Sequence, residues 1–240
     1  MEKQSKKIAV LILNWNGVKL LQKYLASVVK FNSSEAEIII VDNASEDDSI
    51  VFLQNTYPDI KRIEFKNNYG FAKGYNKAIN LISHEYVVLL NSDVRVTENW
   101  LVAPIEFLNS NIDYAACQPK ILDDKSPLKF EYAGASGGFI DALGYPFCRG
   151  RLFDTLEHDE GQYDHINDVF WASGAALFVR REVYMRLCGL DESFFAHQEE
   201  IDLCWRILNE GHQIACIPQS KVYHLGGASL DKSSPKKTFL

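Results

Sequence analysis

Hydrophobic positions along the chain alternate between two rhythms. Four short runs are apolar almost throughout: "KIAVLILN" (7–14), "AEIIIVDN" (36–43), "IKRIEF" (60–65) and "YVVLLNSD" (86–93). Their Val and Ile content favours extended strands. The intervals between them carry helical spacing. In 17–31, Leu20, Leu21, Tyr24, Leu25, Val28 and Val29 fall on one stripe. Residues 45–57 open on Ser45 with Asp48 three positions on, a capping-box-like start with acids in the first turn, and 70–82, "GFAKGYNKAINLI", supplies a third helix. A βαβαβαβ order whose strands are apolar on both faces predicts a parallel sheet covered by helices on both sides, with right-handed crossovers.

The second half has a different texture. Residues 112–118 predict a further strand, whereas 119–150 are rich in Gly, Pro and aromatics with little periodicity, the composition of a loop or hairpin region. A strand followed by a helix returns over 174–188, a helix runs from 199 to its stop at Gly211, and 212–224 suggest two short strands. The whole reads as one continuous α/β domain over 1–240, with a ligand-binding half (1–118) and a half that completes the site (119–240).

Composition narrows the classes. The chain has 240 residues, 47% of them apolar and 24% charged, with a net charge of −7. This is a soluble globular profile, and the acidic balance without a basic cluster disfavours a nucleic-acid partner. The basic stretches near the two termini read as solvated ends. No apolar run approaches the roughly 20 residues of a membrane span, and no signal-peptide core precedes the first strand, so a cytoplasmic protein is expected. The five cysteines have no CxxC spacing and read as core thiols.

Ligands of doubly wound sheets sit beyond the carboxyl ends of the strands. Three of the apolar runs end there in polar clusters: Asn14-Trp15-Asn16-Gly17, Asp42-Asn43-Ala44-Ser45 and Asn91-Ser92-Asp93. Any one cluster is equally explained as turn chemistry; three on one rim point to a site. The first turn lacks the GxGxxG series of a dinucleotide fold. Asp42 is placed to accept from a ribose hydroxyl or a base N–H, and Asp93 to reach a divalent cation, for which carboxylate oxygen is a natural ligand. A nucleoside diphosphate with bound metal satisfies both. Gly70, Lys73 and Gly74 at the third helix suit close backbone approach to an anion, or simply a tight turn.

Taken in order, "LILNWNG", "IIIVDNASEDDS", "NNYGFAKGYN", "LLNSDV", "FWASGAALFVRREVY" and "GLDESFFAHQEEIDLCWR" resemble the family 2 glycosyltransferases of GT-A fold, and within them the bacterial rhamnosyltransferase-like branch. The resemblance spans roughly residues 8–230. It implies a Rossmann-like nucleotide-binding half with a mostly parallel central sheet, and transfer of a sugar from a nucleoside diphosphate to an acceptor hydroxyl with inversion. The nucleotide side falls on Asn14, Asn16, Asp42, Asn68, Gly70, Lys73, Asn76, Asn91 and Ser92.

The family's D-x-D-type motif matches Asn91-Ser92-Asp93, where only the last acid remains. Asp93 is then the Mg²⁺ or Mn²⁺ ligand, with Asn91 bonding ribose or a metal-bound water. His224, matching the family's late histidine, is the second ligand, unless it is a structural histidine at a strand end. The base is implied at Glu200, with Glu199 as the alternative. A helix N-terminus lowers the pKa of such an acid, so burial or neighbouring acids must compensate. A capped helix start, with Asp202 and Arg206 as an i,i+4 pair, is the competing reading of this stretch. Trp171, Ser173 and Gly174 match the acceptor-side motif, to which Asp202 and Arg206 are also assigned; a core tryptophan is the alternative for Trp171.

The implied donor is a UDP or TDP sugar, TDP-rhamnose first, and the acceptor a saccharide or lipid-linked glycan in bacterial surface polysaccharide assembly. Members of the branch continue beyond "HLGGAS", so a shortened chain is expected, together with peripheral association at the inner face of the plasma membrane for the full-length protein and room for a homodimer. Two rival functions use the same residues. A sugar nucleotidyltransferase would need a basic Gly-rich loop after the first strand, and a silent nucleotide-sugar or glycan-binding protein would tolerate the NSD and EE variants.

Overall fold

The computed structural model describes residues 6–194 and 198–226. Among them, the first half alternates strand and helix: β1 Ile8–Asn14, α1 Val18–Lys30, β2 Ala36–Asp42, α2 Ser49–Thr56, β3 Lys61–Glu64, α3 Phe71–Asn80, β4 Tyr86–Asn91, β5 Val94–Val96 and α4 Val102–Ser110. The second half comprises β6 Tyr114–Asp123, β7 Gly138–Ile140, β8 Pro146–Cys148, β9 Arg151–Leu152, β10 Thr155–Leu156, β11 Asn167–Asp168, β12 Ala176–Arg180, α5 Arg181–Arg186, α6 Glu199–Asn209 and β13 Gln213–His224.

Strands of the main sheet lie in the order β11-β13-β6-β12-β4-β1-β2-β3, with β5 on β13. The block β4-β1-β2-β3 is parallel throughout, as the apolar runs predict. Strand β12 then adds antiparallel to β4 and β6, and β13 runs parallel to β6. The reversal at β12 joins the two halves in one sheet.

The period of two along each strand divides the apolar residues between two cores. Ala9, Leu11, Ile39, Val41, Val87 and Leu89 face one side, where α3, α5 and α6 add Tyr75, Ile79, Tyr184 and Leu203. Ile8, Val10, Ile12, Ile38, Ile40 and Val88 face the other, against Leu21, Leu25, Val28, Leu53, Ile105 and Leu108 of α1, α2 and α4. Both faces of a strand are therefore dry, which explains the absence of polar alternation in the sequence.

Four expectations are corrected. Helix α2 begins at Ser49, not at a Ser45 cap. The Asp47 carboxylate accepts from Ser49 N at 3.0 Å and from Val18 N at 2.9 Å, tying the starts of α1 and α2 together. The two short strands expected in 212–224 are one strand, whose register slips between Ile217 and Lys221; this irregularity accommodates Pro218, which has no N–H to give a ladder. Helix α4 has Pro104 in its first turn, where proline is tolerated. Val29 leaves the α1 stripe and faces solvent. Within 119–150, the first residues extend β6, and the remainder includes the β7-β8 hairpin.

Candidate active site

Register brings the predicted rim together. Asn14 pairs with Asp42 across β1 and β2, and Leu13 with Asn91 across β1 and β4, so all three clusters emerge at one end of the sheet. Asn14 Nδ2 donates to Asp42 Oδ1 at 3.1 Å and to Ser45 Oγ at 3.0 Å. Asp42 Oδ2 accepts from Ser45 N at 2.9 Å. These bonds fix a buried carboxylate at the strand end. Asn16, with φ of 51°, is held by its own N–H to Ser45 Oγ and by its Oδ1 accepting from Glu46 N. Asn43 reaches across the sheet end to the loop before α3, donating to Asn68 Oδ1 at 2.8 Å and to Gly70 O at 3.0 Å. Between Asn14 and Asn16, Trp15 is 58% exposed at this rim.

At the end of β4, Asp93 is buried, and its Oδ1 lies 3.1 Å from Nε2 of buried His224 at the end of β13. Strand β5 makes the encounter possible: it pairs His224 with Val94 and so brings the last turn of β13 over the Asn91-Ser92-Asp93 corner. On the other side of the ring, Nδ1 lies 3.4 Å from Oε1 of buried Glu131. Burial opposes charge on His224, but the attraction of Asp93 and Glu131 outweighs it and pushes the imidazole pKa up to about 10. Among the described residues no three His, Cys, Asp or Glu side chains converge on a single cation position. Two adjacent ligands fit one once the cation displaces the Nε2 proton that Asp93 and Glu131 favour. Cis ligands about 2.1 Å from an octahedral ion stand roughly 3 Å apart, and Asp93 Oδ1 and His224 Nε2 are separated by 3.1 Å.

Helix α6 supplies the acids opposite. Its N-terminus follows Gln198, whose φ of 73° turns the chain sharply into the helix. Glu200 packs against Gly174, where an added Cβ would lie 3.6 Å from its carboxyl carbon. Gly174 precedes Ala175, whose carbonyl accepts from Asn91 N, so Glu200 overlies the same corner of the sheet as Asp93. Burial raises the pKa of Glu200, against the lowering effect of the backbone N–H groups of Glu200, Gly174 and Gln198. For Glu199, burial and then the Glu200 charge push the pKa up to about 8. Glu199 and Glu200 each hold a buried Oε2 with no hydrogen-bond partner. For Glu200, burial provides the compensation that a base at a helix start requires; for Glu199, the neighbouring acid adds to it.

Several residues assigned from the sequence have their polar groups committed elsewhere. Asn76 is corrected from a nucleotide contact to a structural bracket: its Nδ2 donates to Leu190 O, and its Oδ1 accepts from Leu190 N and Tyr184 Oη. Arg206 bonds Asp202 Oδ2 and the carbonyls of Leu187 and Gly189, so the i,i+4 pair of the competing reading is formed. Trp171 is the core tryptophan of the alternative reading. Its Nε1 donates to Phe139 O, and its ring covers Gly138 so closely that a Cβ there would lie 1.8 Å from a ring carbon. Lys73 pairs with Glu192 at 3.1 Å, half exposed. Ser92 lies in the turn between β4 and β5. Two residues were missed. Trp15 had a signal, a large aromatic inside a polar turn; Glu131 had none, standing in an aperiodic segment.

The model of "Glycosyl transferase family 2" matches residues 9–161. Over 218 residues the chain is 23% identical to the N-acetylglucosaminyl-diphospho-decaprenol L-rhamnosyltransferase of Mycobacterium tuberculosis, covering 85% of this chain and 71% of that protein. It is 30% identical over 202 residues to the GalNAc(5)-diNAcBac-PP-undecaprenol beta-1,3-glucosyltransferase of Campylobacter jejuni, covering 80% of this chain and 62% of that one. Its backbone superposes on GalNAc-T7, solved with UDP, GalNAc and Mn²⁺, with a TM-score of 0.70 at 17% identity; the match covers 98% of this chain and 46% of that chain. The fold is thus the GT-A fold, and the chain belongs to glycosyl transferase family 2 and has rhamnosyltransferase relatives.

Proposed function

We propose that the protein is an inverting glycosyltransferase that moves a sugar from a UDP or TDP donor, TDP-rhamnose first, to a hydroxyl of a saccharide or lipid-linked glycan in bacterial surface polysaccharide assembly. The observation that carries the reading is the placement of Asp42, of the Asp93–His224 pair and of Glu200 at one end of one sheet. Asp42, oriented by Asn14 and Ser45, accepts from the nucleoside, and the exposed ring of Trp15 offers a face on which a base stacks. Asp93 and His224 hold Mg²⁺ or Mn²⁺, which when bound neutralises charge on the departing diphosphate.

Glu200 takes the proton of the acceptor hydroxyl as the acceptor oxygen bonds to the anomeric carbon. The bond from that carbon to the diphosphate oxygen breaks, and the nucleoside diphosphate leaves with the electron pair. Direct displacement of this kind inverts the centre. Burial raises the pKa of Glu200, which makes its carboxylate a more basic proton acceptor.

The test is a thermal-shift panel of UDP and TDP sugars with and without Mn²⁺, followed by product analysis with the best donor. Asp93→Ala should abolish the Mn²⁺-dependent part of the shift. Glu200→Gln should retain nucleotide binding while transfer is lost. A donor that binds Glu200→Gln and still turns over normally would move the base elsewhere, and a wild-type protein that binds donors without transfer to any glycan would favour the silent binding reading.

A further inference from the structure

We infer that Glu131 is a positioning residue for the cation corner, holding His224 in the orientation that presents Nε2 beside Asp93. The inference rests on the proposed role of Asp93 and His224 and adds a residue outside all of the sequence motifs. Three observations carry it. The Glu131 carboxylate is buried and faces the Nδ1 side of the ring at 3.4 Å, while Nε2 faces Asp93 at 3.1 Å. The carboxylate is itself held: Oε2 accepts from Ala133 N at 2.6 Å, and Glu131 N donates to Ile121 O at 3.1 Å. Room for Oε1 is kept by Gly226, where an added Cβ would approach it to 3.1 Å, and where φ of 64° already favours glycine.

The chemistry follows from the ring's two nitrogens. A histidine that binds a cation through one nitrogen carries a proton on the other, and a carboxylate facing that proton fixes both the tautomer and the ring plane. One carboxylate oxygen closes the local turn through Ala133 N, which leaves Oε1 to face the ring. His224 Nδ1 has no hydrogen-bond partner in the present geometry, so a small closing movement of Glu131 or of the ring is all that forms the bond.

The experiment measures Mn²⁺ affinity in the presence of UDP by electron paramagnetic resonance on the full 240-residue chain, with the nitrogen hyperfine coupling of bound Mn²⁺ as a second readout. Glu131→Ala should weaken Mn²⁺ by about 10- to 100-fold and diminish the histidine nitrogen coupling. Glu131→Gln, which keeps the shape and an acceptor oxygen but no charge, should fall between it and the parent. Binding of UDP without metal should remain within about twofold of the parent, which a general loss of folding would not allow. If both variants hold Mn²⁺ as the parent does while Asp93→Ala loses it, Glu131 has no such role and the proposed function stands. If Asp93→Ala and His224→Ala also leave Mn²⁺ affinity unchanged, the cation corner itself is wrong and the inference falls with it. Should Glu131→Ala fail to fold, Glu131→Gln decides.

Discussion

Replacing Glu199 with glutamine should flatten the dependence of stability on pH. In the folded protein, burial and then the neighbouring Glu200 push this carboxyl from its ordinary 4.5 up to about 8. Between those values the folded protein keeps a proton that the unfolded chain has released. The stability contributed by this group is therefore fully present below about pH 4.5 and is lost as pH rises through about 8. At about 1.4 kcal/mol per pH unit, the loss over this window has a ceiling on the order of 5 kcal/mol. Because the proton is shared between two interacting carboxyls, removing one of them should recover roughly half, on the order of 2–3 kcal/mol. For a chain of this size that corresponds to a difference in Tm of roughly 5–10 °C. Melting curves and urea titrations of wild type and Glu199→Gln should coincide near about pH 5 and diverge steadily toward about pH 9, the variant becoming the more stable. Parallel profiles across the window would show that Glu199 is not held protonated by its surroundings, and would remove the reason for treating the two acids as a tuned pair.

Other parts of the site and its frame yield independent tests. Lys120 is fully buried with Nζ bonded to Asp159 at 2.7 Å and to Asp164; Lys120→Met should cost roughly 3–5 kcal/mol in urea unfolding, because Asp159 is left with the Gly161 N–H at 3.3 Å and the more distant Lys221 at 3.6 Å. Gly138→Ala should cost at least roughly 1–3 kcal/mol, since its Cβ would meet the Trp171 ring, and the displaced ring should show as a red shift in the Trp emission spectrum. Trp15→Ala, at an exposed site, should leave Tm nearly unchanged but weaken UDP by roughly tenfold if the ring stacks on the base, measured by calorimetry.

The parallel block was legible because continuous Val and Ile runs have one economical home, a strand dry on both faces. The rim was legible because turn-forming residues recurred at the ends of those runs, and Asp42 and Asp93 stand where that argument put them. What could not be read was whatever depended on partners distant in sequence. Asn76 sits in a motif, yet its amide is claimed by Leu190 and Tyr184, more than a hundred positions on. Trp171 carries the look of an exposed binding aromatic, but a glycine on β7 gives it a place to lie flat. Glu131 is one acid in an aperiodic stretch, and only the closure of β13 onto β5 reveals what it faces. The α4 helix was hidden by Pro104, and the single course of β13 by Pro218 and Ser220, which interrupt an alternation that the sheet absorbs in an irregular step.

The β7-β8 hairpin has a consequence for anyone wishing to watch this protein work. Its base is anchored: Gly138 bonds Trp171 through the backbone, Phe139 stacks on Phe147, and Asp141 N donates to Tyr145 O. Its tip is not, with Leu143 82% exposed in a turn closed by the Asp141 side chain. Loop-closure cost grows only logarithmically with length, so a tip secured in this way tolerates a cysteine, a fluorophore or a short graft at Leu143 for a few tenths of a kcal/mol. Leu143 belongs to neither hydrophobic core, so an added group there leaves the packing of the sheet alone. It is a place where a reporter can be attached without disturbing the fold.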